Sequence, residues 1–214
     1  MMDRIRDKMN KFSDKTYDAT KTWLSQLLDS GEADFLTGFI TLVFEKAAAE
    51  PLFCGDYARL INELRTAFPH LYTEVIRIFG EFMNIFEDAA TEPDIGSAEY
   101  NAFVALRERR KLRCGYACFI GEVAGLGIIT VEDVARTCNI VLDALMAAKV
   151  QSNKGQLCEE YAQCLKTMML ACEASLRPIA APLVERVKVA MDRTGSPSLT
   201  NMARFSLMDI TDTF

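Results

Sequence analysis

The stretch FLTGFITLVFEKAAAEPLFCGDY, running from Phe35 to Tyr57, decides the fold. Phe35, Leu36, Phe39, Ile40, Val43, Phe44 and Ala47 recur at three- and four-residue intervals, so one face of a helix is apolar across about three turns. Pro51 has no backbone donor and disfavours helix in the residue before it. Gly55 is expected to break the chain before Tyr57 opens a second periodic run. The unit is helix, short turn, helix.

Working outward, the same grammar repeats. Upstream, Ser13 is expected to cap a helix that runs through Trp23, Leu24, Leu27 and Leu28 and stops at Ser30-Gly31. Downstream, Tyr57, Leu60, Ile61 and Leu64 predict a short helix ending near Phe68-Pro69, and Leu71, Val75, Ile76, Phe79, Phe82 and Phe86 predict a longer one. TEPDIGS, residues 91 to 97, gathers Pro, Gly and acidic residues and reads as a loop. A long helix follows from Ala98 to Leu126, its face marked by Phe103, Leu106, Arg110, Cys114, Ala117 and Ile120, with Gly127 as the stop. Thr130 caps the next helix, with Asp133 where a capping-box carboxylate sits. Another pair contains Leu157, Tyr161, Leu165 and Met168, then a break near Arg177-Pro178, then Leu183, Val184, Val187 and Met191; a last helix starts at about Ser198.

The β-branched run Gly127 to Val131 is too short to make a sheet. The pattern predicts an all-α chain forming one domain over residues 1–214, with residues 1–12 as an N-terminal lead-in. Four to five antiparallel helix pairs of about 40 to 50 residues fit the period of a helical-hairpin solenoid. Periodicity alone leaves an irregular bundle open.

Composition bounds the function. The chain has 214 residues, half of them hydrophobic, and no apolar run approaches the roughly 18 to 20 residues that span a bilayer. The opening MMDRIRDKMNKF lacks the apolar core of a secretory signal, although four basic residues precede Phe12. A cytoplasmic, membrane-free protein is expected. A net charge of -6 argues against coating nucleic acid by charge alone and leaves room for a local basic patch. Seven cysteines without a C-x-x-C pair, beside one histidine, make a zinc site improbable, and Cys114 and Cys118 read as small buried hydrophobes. His70 stands alone beside Pro69 and reads as a surface or capping residue; no phosphate-loop, nucleophile-elbow or H-E-x-x-H motif occurs. Neither catalysis nor a cofactor is expected.

Four motifs carry a resemblance. LVFEKAAAEPLFCGDYA, Leu42 to Ala58, is similar to the signature of the middle domain of eukaryotic translation initiation factor 4G. Phe119-Ile120-Gly121-Glu122, preceded by Arg109, Arg110 and Lys111, resembles the basic-then-FIGE helix of that family's third repeat. Arg204-Phe205-Ser206-Leu207-Met208-Asp209 resembles its last helix, and Met9-Asn10-Lys11-Phe12 followed by Tyr17 resembles its N-terminal segment. The long charged insertion usual in the second repeat is almost absent, and the surroundings of Tyr116 depart from the family pattern.

The resemblance implies a right-handed solenoid of about five HEAT-type helix pairs. It also implies a translation initiation scaffold that binds a DEAD-box helicase of the initiation factor 4A type, holds its two RecA-like domains near the closed arrangement and stimulates its ATPase. By matched position Met9 and Tyr17 fall on the N-terminal helicase contact, and Arg204 and Asp209 near the C-terminal one; packing at the chain's start and a solvated charge set are the competing readings. Glu45, Lys46, Glu50 and Pro51 make up the signature but read as structural. Arg107, Arg110, Lys111 and Arg113 form a basic run suited to weak, sequence-independent RNA contact, against a solvated face partly paired with Glu108. No Tyr-x-x-x-x-Leu-hydrophobic motif for the cap-binding protein follows any tyrosine. Other initiation factors remain open as partners, as does a stand-alone adaptor for mRNA translation, processing or turnover proteins that does not stimulate a helicase.

Overall fold

The computed structural model describes residues 1–30, 35–86 and 100–214, and of residues 100–103 and 106 the backbone alone. Among the described residues the protein is all-α, without a strand. The helices are α1 (Met2–Met9), α2 (Tyr17–Asp29), α3 (Leu36–Ala49), α4 (Cys54–Ala67), α5 (His70–Phe82) and α6 (Tyr100–Gly125). They continue as α7 (Val131–Lys149), α8 (Gly155–Ala171), the one-turn α9 (Glu173–Leu176), α10 (Ala181–Ala190) and α11 (Asn201–Thr213).

Contacts between them follow two series. α2 packs on α4, α4 on α6, α6 on α8 and α8 on α11, while α1 packs on α3, α3 on α5 and α7 on α10; α3 also packs extensively on α6, across the two series. Within consecutive pairs, α3 meets α4, α7 meets α8 and α10 meets α11. A single apolar core runs through the interfaces, from Ile5 and Met9 through Phe44 and Tyr116 to Leu165 and Leu207. Each helix contributes one stripe to it, as expected where amphipathic faces rather than intrinsic propensity hold helices in place.

Local signals set the ends. The Thr130 hydroxyl accepts a hydrogen bond from the Asp133 backbone N–H at 3.1 Å, and the Asp133 carboxylate accepts one from the Thr130 N–H at 3.2 Å, completing the capping box. Gly127 takes φ +64°, a left-handed turn that a side chain would strain, and so ends the α6 segment.

Other boundaries differ from the sequence reading. The first unit breaks at Glu50, which leaves helical geometry (φ -127°, ψ 68°), and Pro51 then opens a 3-10 turn through Phe53. Gly55 lies inside the first turn of α4, where backbone N–H groups lack helical partners and a glycine costs little. Ser13 caps the 3-10 turn Asp14–Thr16, so α2 begins at Tyr17. The helix expected to reach Phe86 ends at Phe82 and tightens into a 3-10 turn, Met83–Phe86. The last helix starts at Asn201 under a Thr200 cap; Ser198 instead joins the α7–α8 loop, its hydroxyl donating to the Gln151 carbonyl (2.6 Å) and accepting from the Lys154 N–H (2.8 Å). The loop at 91 to 97, and the Phe103 and Leu106 side chains, lie outside the described residues.

Candidate functional site

Met9 and Tyr17 fall where α1 turns into α2, and both are buried. Phe12, between them, stacks on Tyr57 of α4 with ring centroids 5.1 Å apart and tilts against Tyr17 at 5.7 Å. The Arg59 guanidinium lies 4.3 Å above the Tyr17 ring, an arrangement worth about 0.5–1 kcal/mol at an exposed site. Arg59 and Lys21 share the Glu63 carboxylate, each at 2.8 Å. Those two cations hold Glu63 below the usual carboxylate range, while burial, reinforced by Glu63, pushes the Tyr17 hydroxyl up. Met9 and Tyr17 thus act as a floor, and a partner at this end would meet Arg59.

The signature residues are structural in the same sense. Tyr57 donates to Glu50 at 2.8 Å, and Glu50 pairs with Lys46 at 3.1 Å, so the turn around Pro51 is tied to the α3 end and to α4.

The basic run on α6 divides. Arg107 and Lys111 are exposed, and Arg110 is partly exposed with its Nε 3.9 Å from Glu160 of α8. Arg113 does not belong to a surface patch: it is 2% exposed and bonded to the Glu160 carboxylate, itself 3% exposed. A buried cation already neutralised by a buried anion has no face to offer RNA phosphates, so Arg113 leaves the set proposed from sequence. The α6 stripe passes through Arg113, Tyr116, Ala117 and Ile120 rather than through Arg110.

At the far end of the contact series, Arg204 is half-buried and its Nε finds no hydrogen-bond partner, while Asp209 pairs with Lys166 of α8. α11 also exposes Met202, Phe205 and Met208 at 64, 57 and 39%. Three-residue spacing places these side chains along one ridge, an apolar surface with its charges at the margin. Met9 with Tyr17 and Arg204 with Asp209 are therefore not brought together; they sit on helices at opposite ends of the series.

One thiol pair escaped the sequence reading. Cys54 is buried, its Sγ 3.2 Å from the Ala47 carbonyl oxygen, and its thiol also faces Cys118 of α6. Hydrogen bonding from Cys54 stabilises a Cys118 thiolate more than partial burial opposes it, which brings the Cys118 thiol down to about 7. The expected result is that iodoacetamide alkylates Cys118 first, at a half-maximal rate near pH 7 that Cys54→Ala moves up toward about 8.5. Peptide mapping against pH checks it, and an unmoved midpoint would assign the shift to another cause.

Among the described residues no group of three His, Cys, Asp or Glu side chains gathers to hold a metal ion, and no helix is long and apolar enough to cross a membrane. No family model matches the chain. A segment of 70 residues, 30% of the chain, is 40% identical to part of zinc finger CCCH domain-containing protein 43 of Oryza sativa subsp. japonica, and the match spans 9% of that protein's length.

Proposed function

We propose that the chain is a cytoplasmic translation initiation scaffold of the initiation factor 4G middle-domain type, a clamp for a DEAD-box RNA helicase of the initiation factor 4A type. Grouped as α1–α2, α3–α4, α5–α6, α7–α8 and α10–α11, the helices read as five HEAT-type pairs in a right-handed solenoid. Direct packing within α3–α4, α7–α8 and α10–α11 supports part of that grouping.

The observation that carries the reading is the α11 ridge. Helix α11 bears the motif positions Arg204 and Asp209 and leaves Met202, Phe205 and Met208 uncovered, at the opposite end of the series from Met9 and Tyr17. Two separated contacts are what a protein needs to hold two helicase domains. A helicase that is competent for only part of the time binds more weakly by that fraction, and a rigid partner that favours the closed arrangement restores it without chemistry of its own. Arg107, Arg110 and Lys111 would add weak RNA contact.

Titrating the chain into a purified helicase of this type should raise its RNA-dependent ATPase rate. Met202→Asp with Phe205→Asp should weaken binding about 30-fold or more, since one truncated hot spot costs about 2 kcal/mol. Binding with an unchanged rate would favour the stand-alone adaptor, and no binding at all would remove the helicase reading.

A further inference from the structure

A cleft of about 380 Å³ opens between α1 and α2, lined on one side by Arg4, Asp7, Lys8 and Lys11 and on the other by Thr16, Ala19, Thr20 and Trp23. The second wall is Thr16, at the cap of α2, and the α2 stripe at positions 19, 20 and 23; the wall's three small side chains leave room beside a large aromatic. Trp23 is half-buried and so fixed in place while keeping part of its surface open. The Arg4 guanidinium and the Lys8 ammonium lie 5.8 and 5.7 Å from its ring centroid.

The charge arrangement is unusual for this chain. Acidic residues outnumber basic ones, 30 to 24, and several cations elsewhere pair with carboxylates, as Arg186 does with Asp143 and Lys188 with Glu185. Arg4 and Lys8 instead turn to an aromatic face. Three cations against the single carboxylate of Asp7 leave the cleft positive within a negative protein. Arg4 and Lys8 are four residues apart on a helix, about 6 Å along its axis, with Lys11 beyond them, so the positive groups form a track rather than a point.

We propose that this cleft binds single-stranded RNA: Arg4 and Lys8 turn from the Trp23 ring to the flanking phosphates, joined by Lys11, and one base stacks on the ring face they vacate, beside Ala19. An aromatic platform beside a cationic track holds single strands with little sequence preference, because every base has a face to stack and every nucleotide a phosphate. An acidic peptide would satisfy the cations but leave the ring and the space beside it unused. The site does not depend on the helicase reading and is separate from the α6 cations, which lie on another helix.

Trp23 is the only tryptophan in the chain, so its fluorescence reports this site alone. Titration with a 12-nucleotide oligouridylate should quench it. Three phosphate contacts imply a logarithmic salt slope of about -2, so affinity should fall roughly 20-fold between 50 and 200 mM salt. Ala19→Met, which fills the cleft without changing charge, should weaken binding about tenfold, as should Arg4→Glu with Lys8→Glu. Arg136→Glu with Lys188→Glu, at exposed cations on α7 and α10, should leave the quench unchanged. Circular dichroism of each variant would separate misfolding from loss of the site. The proposal fails if the oligonucleotide binds a filter without quenching Trp23. It fails equally if polyglutamate or an abasic oligomer quenches as strongly as the oligouridylate, or if the Arg136 and Lys188 variant loses as much binding as the Arg4 and Lys8 variant.

Discussion

Glu160→Gln should lower the free energy of unfolding by about 3–5 kcal/mol, a large share of the roughly 5–15 kcal/mol that holds a domain together. The reason is that Arg113 stays buried after the charge bonded to it is neutralised. Arg113 is among the largest fully enclosed side chains in the protein, packed between α6 and α8, and Glu160 is the carboxylate bonded to it. In water a guanidinium loses little when a carboxylate leaves; in a buried interface it keeps its desolvation cost and loses the charge that offset it. Arg113→Met should cost a similar amount, because it removes the buried cation bonded to Glu160 and leaves Arg110, 3.9 Å away and partly exposed, as a weaker substitute. The double variant Arg113→Met, Glu160→Leu should recover most of the loss, since apolar residues of similar volume often equal or exceed a buried ion pair. Urea unfolding of the four proteins measures this cycle. If the double variant is as unstable as either single one, the pair contributes through shape and not through matched charge.

The same pair marks where sequence reading stopped. Helix-period stripes located α3, α4, α7 and α8 because every third or fourth residue there is apolar, and the stops at Pro51, Gly127 and Thr130 act through backbone chemistry that does not depend on distant residues. Arg110 and Arg113 are indistinguishable by that rule: both are cations three residues apart on one ridge, and what separates them is a carboxylate 47 positions away on α8. A signal for it existed. Glu160 lies between Leu157, Tyr161 and Cys164, within an apolar stripe, and a charge placed there must find an opposite charge in the core. The signature around Pro51 was legible as structure, since Lys46, Glu50 and Tyr57 brace one another locally. The cleft beside Trp23 was not. The four basic residues before Phe12 were visible, but Trp23 read as one more apolar position, and only the packing of α1 beside α2 sets Arg4 and Lys8 against its ring. The ridge on α11 was hidden for the opposite reason: methionine and phenylalanine at helical spacing read as core, and exposure depends on whether another helix follows in space.

Gly115→Ala should be the most damaging of the small substitutions. A Cβ at position 115 would lie 1.9 Å from the Ala48 carbonyl oxygen and 2.7 Å from its carbon, far inside van der Waals contact and against main chain that cannot rotate away. α3 and α6 therefore meet backbone to backbone, and Cys54 of α4 is held at the same point through the Ala47 carbonyl. Relief would require α3 and α6 to part by more than an ångström. That would open the packing around Phe44 and Phe119, whose rings meet edge to face at 5.1 Å, and around Tyr116, whose hydroxyl donates to the Phe79 carbonyl at 3.1 Å. Overpacking alone costs about 1–3 kcal/mol, and an immovable neighbour puts this case at or above about 3 kcal/mol. Gly121→Ala, whose Cβ would come 2.6 Å from the Ala171 Cβ, should cost less, because the contact is with one methyl group and not with main chain. Gly80→Ala runs the other way: nothing lies within 4 Å of its Cβ position in α5, so replacing a helical glycine should stabilise by about 0.5–1 kcal/mol. Denaturant midpoints should therefore rank Gly80→Ala above the parent, Gly121→Ala below it and Gly115→Ala lowest. A Gly115→Ala protein within about 1 kcal/mol of the parent would mean that α3 and α6 do not approach this closely.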